Sequence, residues 1–290
     1  MEYFVDEGPA CEGHVREILV LKGPHDRLYL LDAIAERWAA TGDRVTVHHG
    51  YENLPAADIV ILHVDMTRVP PRYAEQLKSF PVVLNRNVLD ISKSVFSKLM
   101  VTQDCSYDGP VIVKTDNNFG GKPEARVRRM SNRFKWPRTF RRSGTNWSKT
   151  AQLDPQSYPI FANKSQVPLG AWKNPNLIVQ QFLPEVEDNI YYTRYWMFLG
   201  DRGWASRFGS EQPIVKFKNR ITPEERINIP QELVEMRREF GFDYGRFDFV
   251  IHNNEVIVFD INKTVGGYNN CAAYASELDT LAEGLDAFSI

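Results

Sequence analysis

The chain has 290 residues, room for one large domain or two to three small ones, because single hydrophobic cores stop growing near ~250–300 residues. With 43% hydrophobic and 25% charged residues it has an ordinary soluble, globular make-up, and a net charge of −2 argues against a nucleic-acid or membrane partner for the chain as a whole. Cys11, Cys105 and Cys271 lie far apart with no CxxC pair, so they suggest neither a disulfide framework nor a zinc site and point to a reducing, cytoplasmic compartment.

The acidic start, MEYFVDEGPACEGHVRE, is unlike a secretory signal, and no apolar run approaches the ~20 residues that cross a bilayer. REILVLKG (16–23) reads as a strand entering a loop, and HDRLYLLDAIAERWAATGD (25–43) as a helix with Gly42 at its end. RVTVHHG, ADIVILHVD and FPVVLN come next as short β-branched runs, with a helix expected at PRYAEQLKSF. This alternation predicts a small parallel α/β domain over residues 1–88, and DISKSVFSKLMV (90–101) is expected as a helix leading out of it.

Beyond that point GPVIVKTDNNFGGKPEARV reads as a strand, a Gly- and Asn-rich loop and a return strand. NLIVQQFLPEVEDNIYYTRYWMFLGDRGWASRFGS reads as a strand, a loop and a long hairpin, and TPEERINIPQELVEMRREFGF supplies a helix. The second part is therefore α+β with antiparallel strands. His48, His49 and His63 are expected as packing residues, and Tyr191, Tyr192, Tyr195, Trp196 and Phe198 as hairpin core.

The most informative stretch is GRFDFVIHNNEVIVFDINK (245–263), an apolar hairpin that carries Arg246, Asp248, Asp260 and Asn262. Burying an isolated carboxylate costs on the order of several kcal/mol unless a cation or donors compensate it. A two-residue turn at Asn253 and Asn254 would oppose Asp248 to Phe259; a three-residue loop or an equivalent bulge opposes Asp248 to Asp260 and puts Asn262 on the same face. Two carboxylates and an amide oxygen suit Mg²⁺ completed by substrate phosphates and water, and Arg246 could stabilise a transferring phosphoryl group. The plainer alternative is an Asp248–Arg246 structural ion pair, with Asp260 capping a turn.

VIVKTDNNFGGKP adds the phosphate half: Lys114 at a strand end, with Gly120 and Gly121 allowing close backbone approach, although it is no Walker motif and a Gly-Gly pair also makes tight turns. LIVQQFLPEVE (177–187) reads as a buried strand ending in acids, able to read an adenine by its backbone and ribose hydroxyls by Glu187.

In this order the stretches resemble the ATP-grasp superfamily, especially its carboxylate-amine ligases such as D-alanine-D-alanine ligase, glutathione synthetase and RimK-like enzymes. The resemblance runs from about Leu89 to Gly267. It implies an α/β N-terminal domain (1–88) followed by an α+β ATP-grasp fold, with a central subdomain (89–178) and a C-terminal subdomain (179–290) gripping ATP between antiparallel sheets. It also implies that Lys93, with Lys98 as a rival, and Lys114 contact ATP phosphates, and that Gln180, Gln181, Leu183 and Glu187 line the adenine and ribose site. Lys216 is a further γ-phosphate contact on this resemblance. Arg246, Asp248, Asp260 and Asn262 match the Arg-x-Asp and Glu-x-Asn pairs, with Asp260 replacing the usual Glu and so shortening the metal-binding arm by one methylene. KTVGG resembles the terminal substrate loop only loosely. The implied reaction is Mg²⁺- and ATP-dependent joining of a carboxylate to an amine through an acylphosphate, with Arg246 steadying the transferring group. A phosphotransferase and a non-catalytic ATP-binding module are the alternatives on the same fold.

One stretch departs from that pattern. Residues 126–149 are basic, without an acid, and interleave Phe134, Trp136, Phe140 and Trp147. A solvated flap closing over ATP, a contact for an anionic substrate or partner, and a nucleic-acid surface are the readings open to it, the last disfavoured by the near-neutral charge.

Overall fold

The computed structural model describes residues 15–131, 145–267 and 272–288. Four short strands, β1 (Glu17–Lys22), β2 (Arg44–His49), β3 (Ile59–His63) and β4 (Val82–Leu84), form a parallel sheet in the order β2-β1-β3-β4. Alternate residues of β1 face two cores: Ile18 and Val20 meet Ile34 and Trp38 of α1 (Leu30–Ala40), while Leu19 and Leu21 meet Tyr73 of α2 (Pro71–Gln76) and Leu77. Both faces being covered explains why β3 is buried along its whole length. The first helix starts at Leu30 rather than at residue 25, because the Asp32 carboxylate accepts from Tyr29 N at 2.6 Å and fixes the cap there.

The helix expected over 90–101 is a single turn, α3 (Lys93–Phe96). Residues 99–101 are drawn out instead as an edge partner of the next sheet: Leu99 O accepts from Gln181 N at 2.8 Å and Val101 N donates to Val179 O at 2.9 Å. That sheet is antiparallel, β6 (Ile160–Phe161), β5 (Val111–Thr115) and β7 (Leu177–Gln181), with α5 (Leu169–Trp172) beside it. The return strand expected after the glycine pair is a helix, α4 (Lys122–Ser131), since both edges of β5 are already taken and Pro123 sits in the first turn, where a missing N–H is harmless. The boundary drawn at residue 178 cuts through β7.

The third sheet runs β11 (Glu225–Ile227), β10 (Arg202–Ser210), β9 (Ile190–Leu199), β12 (Tyr244–His252), β13 (Glu255–Asn262), with β8 (Glu185–Glu187) also on β9. One face packs Trp196, Phe198, Phe247 and Phe249 against Leu233 of α6 (Gln231–Phe240), which Gly241 closes at φ 66°. On the other face Tyr195, Met197, Leu199 and Tyr244 join α1 and the leucines of α7 (Ala275–Glu283) in one core, so the parallel domain and this sheet are packed together. Among the described residues no helix is long and apolar enough to cross a membrane.

Candidate active site

The β12–β13 hairpin turns through Asn253 and Asn254 at φ 50° and 65°, the left-handed conformation that Asn tolerates. Pairing runs in step from His252↔Glu255 to Phe249↔Val258, and then a bulge at Phe259 sets Asp248 opposite Asp260 and Arg246 opposite Asn262. The expected convergence is therefore achieved by the bulge, not by a longer loop. Arg246 holds one oxygen of Asp248, with Nε at 2.7 Å and Nη2 at 2.5 Å from Oδ1. Desolvation, reinforced by Asp260, pushes the Asp248 carboxyl above the usual range against the pull of Arg246. Asn262 Oδ1 accepts from Thr264 N at 3.0 Å.

Lys93, 2% exposed, places Nζ 3.5 Å from Asp260 Oδ1, whereas its rival Lys98 is exposed. Lys114 leaves the end of β5 with Nζ 5.2 Å from the centre of the Phe259 ring. Desolvation, with Lys93 and Lys216 adding repulsion, lowers the Lys114 pKa to about 7 despite Asp260 and Asp248.

Two cavities meet here. The first is an apolar slot walled by Ile112, Leu183, Tyr191, Tyr192, Ile257 and Phe259, also lined by Gln181 and by Lys93, Lys114 and Lys216, of which Lys93 and Lys216 lie near enough to repel Lys114. The second holds Arg246, Asp248 and Asn262, and Thr193, Val215, Lys216, Phe259 and Asp260 form the wall common to both.

No family model matches the sequence, and no curated protein matches it significantly. Solved structures do resemble it. A macrocyclase, MdnC, bound with its precursor peptide from Microcystis aeruginosa is 10% identical, with 93% of this chain and 99% of that one covered at a TM-score of 0.53. A RiPP-associated ATP-grasp ligase from Chryseobacterium gregarium, in complex with ADP and a leader and core peptide, is 11% identical over 95% and 98% at a TM-score of 0.53. The ATP-grasp ligase PsnB with a minimal precursor is 11% identical over 93% and 99% at a TM-score of 0.51. The fold is ATP-grasp.

Within that fold the donor set suits one Mg²⁺: two carboxylates and an amide oxygen on a common face, with Arg246 and Lys93 each contacting only one oxygen of its carboxylate. Among the described residues there is no group of three or more His, Cys, Asp or Glu side chains fit for a metal, so the remaining ligands would come from phosphate and water. The slot's aromatic and aliphatic walls suit a flat base.

Other expected residues lie elsewhere in the ATP-grasp frame. Gly120 and Gly121, at φ 67° and 72°, line neither cavity; a Cβ on Gly120 would meet Leu153 O at 2.1 Å, so segment 151–155 demands the pair. Gln180 is fully buried behind the slot, donating to Ser97 Oγ at 2.7 Å. Glu187 lies outside the slot lining, ion-paired with Arg207 at 2.6 Å. The aromatic run divides: Trp196 and Phe198 are core, Tyr195 is core and also lines the second cavity, and Tyr191 and Tyr192 line the slot. His63 is fully buried edge-on to Tyr29, and desolvation lowers its pKa to about 3, as a neutral packing residue. Of the basic segment, Arg126 pairs with Asp65 at 3.2 Å and Trp147 packs on Phe161, which ties down both ends; Phe134, Trp136 and Phe140, like Cys11 and Cys271, lie outside the described residues. The wall residues Ile112, Tyr158 and Phe259 carry no signal in the sequence, where an apolar residue facing a cavity looks the same as one facing a core.

Proposed function

We propose that the chain is an ATP- and Mg²⁺-dependent ligase that joins a carboxylate to an amine or similar nucleophile through an acylphosphate, releasing ADP and phosphate. The observation that carries this reading is the meeting of Lys93, Lys114, Lys216 and Arg246 with Asp248, Asp260 and Asn262 where an apolar slot opens into a second cavity. The slot would take the adenine, and the three lysines would offset charge on the phosphates. Mg²⁺, when held by Asp248, Asp260 and Asn262, would neutralise phosphate oxygens. Arg246, held by Asp248, would steady the carboxylate of the acid substrate and the acylphosphate formed from it.

In the first step an oxygen of that carboxylate attacks the γ-phosphorus and the bond to ADP breaks. In the second the amine lone pair attacks the acyl carbon, phosphate leaves and the amine gives up its proton. No protein nucleophile is needed, and positioning supplies most of the acceleration. The peptide-bound structural neighbours make peptides reasonable partners to test alongside amino acids. The test is ADP release by the purified protein with Mg²⁺, crossing amino acids and short peptides in pairs. Release that requires both an acid and an amine is expected; a stable phosphorylated product would make it a kinase, and ATP binding without ADP would make it a binding module.

A further inference from the structure

The second cavity is unusual in its far wall. Tyr195, Trp204 and Phe208 from the β9–β10 hairpin, Phe217 just after it and Tyr274 before α7 form a continuous belt, with ring centres 6.0 Å apart for Phe208–Phe217, 6.3 Å for Phe217–Tyr274 and 6.5 Å for the stacked Trp204–Tyr274 pair. The polar atoms of the belt are engaged within the wall. Glu224 accepts from Tyr195 Oη at 2.5 Å and from Tyr274 Oη at 2.8 Å, and Trp204 Nε1 donates to Tyr195 Oη at 3.3 Å. Ring faces and edges, not polar tips, therefore meet whatever enters. The cavity measures about 350 Å³, the size of a small-molecule site. At its pole nearest the hairpin the Arg246 guanidinium lies 4.5 Å from the Tyr195 ring centre.

We infer that this cavity binds the acid substrate, and that the acid is a carboxylate carrying a bulky aromatic or branched aliphatic group, its carboxylate at Arg246 and its apolar body within the belt. A charged or strongly polar body would be desolvated against the described rings of the belt, whose own polar atoms are already hydrogen-bonded to one another or to Glu224. The inference rests on the ligase reading for which end of the ligand faces the phosphates, but binding can be measured without turnover.

The test is calorimetric titration of the full chain, with Mg²⁺ and a non-hydrolysable ATP analogue present, using 3-phenylpropionate and acetate as probes. Loss of a whole ring should weaken binding on the order of 100-fold, since single methylenes in such pockets already discriminate roughly 10- to 200-fold. Trp204→Ala is expected to weaken 3-phenylpropionate about 10-fold while the analogue binds as before. Phe217→Ala, at a position 40% exposed and so safe for folding, should act in the same direction. Equal binding of the two acids, or indifference to both substitutions, overturns the inference. If the aromatic acid binds but no amine ever elicits ADP from ATP, the cavity assignment stands and the ligase reading falls. If ADP release occurs with small or charged acids alone, ligation stands and the cavity assignment falls.

Discussion

The hairpin from Tyr244 to Asn262 and the glycine segment from Asn117 to Gly121 are equally conspicuous in sequence, yet the fold places them differently. In the hairpin, three acidic or amide side chains and an arginine turn onto one face, and the bulge at Phe259 puts them there. In the glycine segment the absent side chains make room for the chain's own backbone, with Leu153 O in the place a Cβ would take. A half-buried carboxylate needs a cation or hydrogen-bond donors wherever it lies, so a pair of them on one face of a hairpin says something about chemistry. A glycine pair satisfies a crowded turn as readily as a ligand, and only coordinates separate the two.

The comparison breaks most sharply at Asp248. Asp248→Asn keeps the shape, loses the charge proposed to hold Mg²⁺ and leaves Arg246 without its ion pair; ADP release should be abolished while the circular dichroism spectrum stays native. Unchanged turnover would remove the metal assignment and leave the hairpin's polar residues as a structural ion pair.

Lys114 ranks next. Lys114→Met should lower kcat/KM by on the order of 10²–10³, the usual loss for one electrostatic contact to a transition state. Its pKa of about 7 in the free protein gives two signed expectations. Bound triphosphate favours the ammonium, so analogue affinity should hold below pH 7 and weaken as pH rises above it, with proton uptake on binding at about pH 8. For stability the sign is opposite: above pH 7 the folded protein sheds a proton that the unfolded chain keeps until its ordinary value near ~10.4, so this lysine's cost to folding is relieved between those limits. The stability advantage of Lys114→Met over the parent should therefore be largest at or below pH 7 and shrink towards about pH 10; a pH-independent difference would place the ammonium in contact with solvent.

How far the sequence could be read follows the same divide. The parallel sheet and the long hairpins of the third sheet are legible because β-branched runs and turn residues recur at strand spacing, and the Asp248–Asp260 pairing is legible because strand geometry allows few registers. The helix after the glycine pair is not, because KPEARVRRMS has a helical pattern too polar to stand out, and strand vacancy in the neighbouring sheet decides it. Residues 99–101 are not, because their edge pairing with β7 joins positions some eighty apart. Asp65 is invisible for a similar reason: it gathers the Tyr29 hydroxyl, Arg126 and Thr264 Oγ1, and so ties α4 and the loop beside Asn262 to the parallel sheet, yet nothing local marks it.

Gly120→Ala tests the other side of the comparison. A side chain there meets backbone at 2.1 Å and must adopt φ 67°, so we expect a loss of about 2–4 kcal/mol in denaturant unfolding from left-handed strain and overpacking together. The affinity of any surviving folded protein for the ATP analogue should be nearly unchanged. A large affinity loss with native stability would return the segment to the phosphates.

The smallest effect is expected at Glu187, which the sequence suggests as a ribose contact and which ends β8. Its carboxylate is 55% exposed and ion-paired with Arg207, while the buried Glu185 beside it already serves both Arg207 and Arg194. Exposed pairs of this kind contribute about 0–1 kcal/mol, so Glu187→Gln should shift the unfolding midpoint barely and the analogue affinity less than about twofold. The turn that carries it, Asp188 and Asn189 at φ 49° and 63°, is short and held by strand pairing on both sides, which leaves the carboxylate little freedom to reach the slot. A tenfold loss of analogue affinity would mean that β8 and its turn swing inward when nucleotide binds, and the distinction between a buried carboxylate bound to its function and an exposed one free of it would then fail at this residue.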